Sequence, residues 1–253
     1  MAQFVFGSGI LWGTPLTDAS GNSITTPSPV QFGTLQDCAV DFSFDTKLLH
    51  GQKQFAEAVG RGKGKISGKA KFAQINGATV NSLFFGQTMT SGIVNDVYDV
   101  TGQAIPSTPF AITVAPPNSG TWAYDLGVRD SNGLPMTRVA SAPAAGQYSV
   151  AAAVYTFAAA DTGKVVFINY NYAATSTIAK KINIVNMPMG YAPSFQADFL
   201  LPFSGKSLVL KLPNCIGAKF AIATKQDDFV IPEFDFEAFA DPAGNVASWS
   251  MSE

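Results

Sequence analysis

The chain has 253 residues, enough for one large β domain or two smaller ones with a real core. Charged residues make up only 13 % of it and the net charge is −2, so no global field recruits nucleic acid. Two cysteines and one histidine exclude a disulfide framework and a four-ligand zinc site, and no apolar run is long enough to span a membrane.

The N-terminal stretch "MAQFVFGSGILWG" lacks the charged start and continuous apolar run of a signal peptide, and assembly in a cytosol is expected. The first clear strand is "AVDFSFDTKLL", with Val40, Phe42 and Phe44 on one face and Asp41, Ser43 and Asp45 on the other. "HGQKQFAEAVG" then reads as a short turn of helix between two strands. "RGKGKISGKAKF" (61–72) follows, with Lys63, Lys65, Lys69 and Lys71 at odd positions and Arg61 before them. Gly64, Ile66, Gly68, Ala70 and Phe72 fill the even positions, so one strand carries a lysine row opposite a small, apolar face. "INGATVNSLFFG" is the best helix, with Ile75, Val80, Leu83 and Phe84 at helical spacing and Gly86 as its stop.

From about Thr101 the composition shifts to Ala, Pro, Gly and Ser. "AITVAPP", "TWAYDLGVR", "GQYSV", "VYTFAAADTG" and "KVVFINYNYAA" give five short strands at sandwich-like intervals. "YTFAAADTGKVVFINYNY" reads as a strand, a polar turn and a returning strand. Residues 101–172 are expected to form a small β-sandwich inserted between 1–100 and 173–253, with continuation of one larger sheet as the competing organisation. Beyond it, "GKSLVLKL" and "AKFAIATK" read as two strands separated by "PNCIG". "EFDFEAF" alternates acid with aromatic, and "DPAGN" is expected to turn it into a hairpin with "VASWSMS".

Catalytic signatures are sparse. "GRGKGKIS" misses a phosphate loop because three residues, not four, separate Gly60 from Gly64 and Ile66 replaces the hydroxyl after Lys65. "GSGILWG" lacks the strand and helix that a dinucleotide fingerprint needs. His50 paired with Cys38 or a serine is the remaining nucleophilic arrangement, and no orienting motif accompanies it. Buried reduced thiols are expected for Cys38 and Cys215. Asp227, Asp228, Glu233, Asp235 and Glu237 form an acidic cluster in which glycosidase acids carry no signature. No metal spacing is present, so no enzyme activity, metal or cofactor is expected.

Glu233, Asp235 and Glu237 share one parity and Phe234, Phe236 and Ala238 the other. A lysine-faced strand and a carboxylate-faced strand leave three arrangements open. The rows pair within the fold, they meet between copies, or the lysine row touches nucleic acid without aromatic neighbours to stack on bases.

"DFSFDTKLLHGQKQFAEAVGRGKGKISGKAKFAQINGATVNSLFFG" resembles the N-terminal half of phage major tail proteins, the tail tube subunits of tailed bacteriophages. "GKSLVLKLPNCIGAKFAIATKQDDFVIPEFDFEAFADPAGNVASWS" is similar to the closing strands of that family, and the middle segment resembles the Ig-like modules carried on phage tail proteins. The resemblance implies a mostly β protein: a sandwich or barrel-like core with one flanking α-helix, plus the inserted Ig-like sandwich. It implies a structural virion protein in which six copies join sheets into a ring, and rings stack into a tube around a lumen for DNA. Its partners are then further copies of itself, a tape measure, tube initiator and terminator proteins, a sheath if the tail contracts, and DNA in transit, with no membrane. A long loop reaches the neighbouring ring in such tubes, and Leu48–Gly60 is the candidate here. The expected interface residues are Lys63, Lys65, Lys69, Lys71, Glu233, Asp235, Glu237, Leu48, His50, Gln54 and Phe55.

Two other readings stand beside it. The tube of a phage-derived secretion or bacteriocin particle obeys the same physics. A monomeric carbohydrate-binding or adhesin-like module instead needs exposed aromatics, for which Trp122, Tyr124, Tyr148 and Tyr155 are the candidates, with core packing as their other role.

Overall fold

The computed structural model describes residues 6–252; the first five residues of the N-terminal stretch read above lie outside them. In chain order the strands are β1 Ile10–Pro15, β2 Val30–Gln31, β3 Leu35–His50, β4 Ala56–Phe72, β5 Thr90–Ser91 and β6 Ile93–Val97. There follow β7 Gln103–Ala104, β8 Ala111–Thr113, β9 Thr121–Asp130, β10 Thr137–Arg138, β11 Gln147–Ala151 and β12 Val154–Phe157. The last are β13 Val165–Ala174, β14 Lys180–Lys181, β15 Ser194–Phe203, β16 Lys206–Ala221, β17 Glu233–Ala238 and β18 Ser248–Met251. The protein is mostly β, with several antiparallel sheets and one α-helix, α1 Gly77–Val80, continued by a π-helical turn over Asn81–Phe85.

The chain divides into two units, residues 1–88 with 183–253, and Met89–Ile182. The second is wider than the 101–172 expected. β6 pairs with Tyr170–Ala174 of β13, and β5 pairs with β14, so both flanks are hydrogen-bonded into the insert.

The first unit holds one eight-stranded sheet, in the order β2-β1-β15-β16-β17-β4-β3 with β18 also on β16. Its terminal strands β2 and β3 are separated by only Phe32–Thr34, which span at most ~11 Å, so the sheet must curl until its ends approach each other. Ser8 Oγ donates to the Leu35 carbonyl at 2.6 Å, adding a tie to β3. The inward face holds Leu11, Phe72, Phe195, Leu212, Phe234 and Phe236, each under 3 % exposed. The alternation read in β17 and in 66–72 is therefore real: even residues fill the barrel and odd residues face out.

The helix ends at Gly86 as expected, and it also carries an N-cap. The Asn76 side chain accepts from Ala78 N, and Gly86 ends the turn at φ 60°, a conformation natural to glycine. Ile75 precedes the cap and is exposed rather than on the helical face. Leu83 and Phe84 pack against strand glycines: a Cβ at Gly13 would overlap Leu83, and one at Gly217 would crowd Phe84 at 2.5 Å.

Two strand readings are corrected. "GKSLVLKL" and "AKFAIATK" are one continuous strand, β16, running through Pro213. The proline is accommodated where it needs no ladder hydrogen bond: Leu208–Lys211 pair with β18, Cys215–Ala221 pair with β17, and the β15 register slips there. β17 and β18 accordingly both lie on β16 and do not form a hairpin with each other. The "DPAGN" turn exists, with Asp241 accepting from Ala243 N and Asn245 N, but it moves the chain along β16.

In the second unit all five expected strands form. Two sheets, β10-β11-β12-β8 and β6-β13-β7 with β9 on β13, share a core of Ile112, Val128, Tyr155, Phe157, Val166 and Ile168. β12 and β13 pair with different sheets, so the polar turn between them crosses the core instead of closing a hairpin.

Candidate subunit interface

The lysine and carboxylate rows are neighbours in one sheet. β17 pairs with β4 so that Glu233 stands opposite Lys71, Asp235 opposite Lys69 and Glu237 opposite Ser67. Lys69 Nζ lies 2.6 Å from Glu233 Oε1, and Lys65 Nζ 2.6 Å from Glu237 Oε1. Glu233 also draws Lys219 at 3.3 Å and Lys71 at 3.7 Å. The hydrogen bond from Lys69, followed by that from Lys219, holds the Glu233 carboxyl below its usual range, and the same bond to Glu233 raises Lys69. Asp235 lies between Lys69 and Lys219 in register, and its buried Oδ1 takes no hydrogen bond. Of the three arrangements open in the sequence, pairing within the fold is present in the single chain. Lys65, Lys69, Lys71, Glu233 and Glu237 thus form intrachain pairs on the outer barrel surface.

β3 and β4 run on together beyond the barrel. Past Ile66, β4 has no β17 partner, and the two strands continue as an isolated ribbon to a turn over Gly51–Phe55. The expected loop Leu48–Gly60 is therefore the end of a hairpin, and "HGQKQFAEAVG" is its tip and returning strand rather than a helix. Continuous backbone pairing from Lys47↔Gly60 to Leu49↔Ala58 outweighs the helix preference of the Ala-Glu-Ala stretch. Leu48 and His50 end β3, while Gln54 and Phe55 lie in the tip, with Phe55 84 % exposed.

This arm carries apolar side chains without a core to meet. Phe42, Phe44, Leu48 and Val59 share one face by register, and all are at least 44 % exposed. The sequence alternation placed Phe42 and Phe44 correctly on one face, yet that face has left the barrel. A bulge sets Asp45 against both Gly62 and Lys63 and reverses the parity beyond it. Arg61 consequently crosses from the lysine side to the apolar side, where its guanidinium lies 4.1 Å from the Phe44 ring centre. Lys63 sits in the bulge, exposed and outside the ion-pair ladder. Where β17 stops, the arm's base borders an apolar groove of about 620 Å³ lined by Phe42, Phe44, Ile66, Phe239 and Val246. Val59 and this groove escaped the sequence reading. The signal was there in a run of strand pattern too long for a barrel wall.

The chemistry of the other candidates is equally plain. Cys38 and His50 lie twelve residues apart on the same extended strand, about 40 Å, so they form no catalytic pair. Burial, with a small contribution from Asp37, pushes the Cys38 thiol up to about 12; burial does the same for Cys215. Among the described residues no cluster of three or more His, Cys, Asp or Glu side chains is placed to hold a metal. No helix among them is long and apolar enough to cross a membrane. Tyr148 and Tyr155 are core residues, and Trp122 Nε1 donates to Tyr155 Oη at 3.2 Å, which leaves Tyr124 alone of the four aromatics well exposed. No protein-family model and no curated protein matches the chain.

Proposed function

We propose that the chain is a structural, self-assembling subunit: the tube protein of a bacteriophage tail, forming hexameric rings that stack around a lumen for DNA. The observation that carries this reading is the β3–β4 arm, a ribbon that leaves its own barrel with Phe42, Phe44, Leu48, Val59 and Phe55 in solvent. A two-stranded ribbon is marginal alone in water, and contiguous exposed apolar surface marks an interaction site. A neighbouring copy supplies the missing cover. The outer edge of β3, last in the strand order, favours the same reading, because sheet joining between copies removes an edge that otherwise invites aggregation. Head-to-tail contacts that close on rotation make rings, and their repetition along the axis makes a tube. Such a subunit works by geometry and needs no catalytic group, metal or cofactor. Its place is the virion tail, its partners the tape measure, the initiator and terminator of the tube, and a sheath if the tail contracts.

In this account the ion-pair ladder fixes strand register inside the subunit, and the arm makes the contacts between subunits. The test is sedimentation velocity over a concentration series, comparing the chain with a variant in which Lys47–Gly60 is replaced by Asn-Gly. That replacement joins the paired residues Thr46 and Arg61 by a two-residue hairpin turn. The parent is expected to form hexamers and larger species, while the variant stays folded and monomeric. Equal assembly by both would refute the role given to the arm.

A further inference from the structure

The groove at the base of the arm is an apolar opening that needs a cover. It exists because β17 stops at Ala238, opposite Ile66, while β3 and β4 run on past it. Phe42 and Phe44 give the opening one aromatic wall, and Gly64, Ala238 and Ala247 give it small ones. Rings pack edge-on or offset against other rings, so an aromatic wall facing small side chains makes a slot for a further ring. The volume of about 620 Å³ is ample for one phenylalanine side chain. Arg61 stands at the edge of the slot with its guanidinium 4.1 Å from the Phe44 ring centre, and Lys65 pairs there with Glu237.

Phe55 is the ring that matches. It is the one large apolar residue of the Gly51–Phe55 turn, and it is 84 % exposed. Phe6 and Phe229 are comparably exposed, but Phe6 packs 6.0 Å from Phe203, ring centre to ring centre, and Phe229 lines a cavity with Ile231. Phe55 cannot reach the groove of its own chain. Backbone pairing carries the ribbon from Phe44↔Gly64 out to His50↔Ala56, and Ala56 lies ten residues beyond Ile66, ~30 Å away. A second copy supplies the seat, and the charges agree: Glu57 follows Phe55 by two residues and suits Arg61. We propose that the Phe55 tip of one copy enters the arm-base groove of the next, with Glu57 against that copy's Arg61. The contact rests on the assembly through the arm proposed above, and adds to it a receptor and a direction. Tip and groove are different surfaces of one chain, so each copy gives one tip and receives one. Association then runs head to tail without stopping at a dimer, whereas arms packed face to face would close as isologous pairs.

Sedimentation velocity on two full-chain variants separates the halves of the contact. Phe55→Asp removes the tip and leaves the groove, while Val246→Glu blocks the groove and leaves the tip. Phe239→Glu, at an exposed position of the same groove, replaces Val246→Glu if tryptophan fluorescence shows that variant to be unfolded. Each variant alone is expected to stay monomeric at concentrations where the parent assembles. An equal mixture is expected to give a one-to-one dimer and nothing larger, because one working tip meets one working groove. Arg61→Glu is expected to weaken assembly about tenfold, and Glu57→Arg in the same chain to restore it. Three results overturn the tip-in-groove contact: either variant assembling like the parent, a mixture that stays monomeric or grows beyond a dimer, or no rescue by the reversed pair. With an assembling parent, each of these leaves the arm its role through another contact. A parent that is monomeric at every concentration overturns both this contact and the reading it rests on.

Discussion

Substituting Gly68 by alanine tests the barrel's packing at one atom. Gly68 is the register partner of Phe236, and a Cβ there would overlap the Phe236 ring. That ring is 1 % exposed and locked between Phe195, with ring centres 5.8 Å apart, and Phe234, at 6.1 Å. It has nowhere to swing. Overpacking of this kind costs ~1–3 kcal/mol, and the upper bound is the ~3–5 kcal/mol lost if Phe236 is expelled altogether. Gly64, four residues earlier on the same strand, provides the control. A Cβ there meets the Phe44 ring at 2.8 Å, but Phe44 is 49 % exposed and free to turn aside, so Gly64→Ala should cost less than ~0.5 kcal/mol. Urea unfolding of both variants, followed by tryptophan fluorescence, gives the comparison. Phe236→Leu combined with Gly68→Ala should then recover part of the loss, because the two sites are in contact and their effects do not add. Equal costs at positions 64 and 68, or no recovery in the double variant, would refute the reasoning.

Replacing Met89–Ile182 by a short Gly/Ser linker is expected to leave a folded first unit with native-like circular dichroism, since its core residues all come from 1–88 and 183–253; an insoluble product would contradict this. Burial first, and for Tyr148 the hydrogen bond to Asp125 next, raises the pKa of Tyr148 and of Tyr155 above the usual tyrosine range. The folded state thus holds those protons more tightly than the unfolded chain, so stability is complete below the unfolded value of about 10 and falls as pH rises beyond it. Thermal unfolding of the second unit should accordingly shift down above that pH, and a flat profile to strongly alkaline pH would count against the buried tyrosine cluster. Cys215, buried and pushed up to about 12, should resist an aromatic disulfide reagent at mildly alkaline pH until urea is added, whereas Cys38, which is only partly buried, should label before it; rapid native labelling of Cys215 would contradict its burial.

Much of the architecture was legible in local pattern. The alternation of "EFDFEAF" placed Phe234 and Phe236 inward and the three carboxylates outward, because a strand with one wet face enforces a period of two. The odd-numbered lysines from 65 to 71 followed the same rule. Gly86 stopped the helix for the reason glycine usually does, by adopting a positive φ. Parity failed at Gly62–Lys63, where a bulge leaves no mark beyond a glycine and carries Arg61 across the strand. Pattern also says nothing about whether a core exists on the apolar side. Phe42 and Phe44 alternate as well as any barrel residue, yet they line an arm, because β17 ends before it can cover them. Partner choice was likewise hidden: β17 and β18 have the sequence of a hairpin, but long-range pairing to β16 takes both.

The central claim is that the subunit builds rings and tubes through its projecting arm. Negative-stain electron microscopy of the purified chain across a concentration series tests it most directly. Rings or hollow tubes of uniform diameter, growing in number with concentration, are the predicted result. Isolated particles at every concentration would contradict the account.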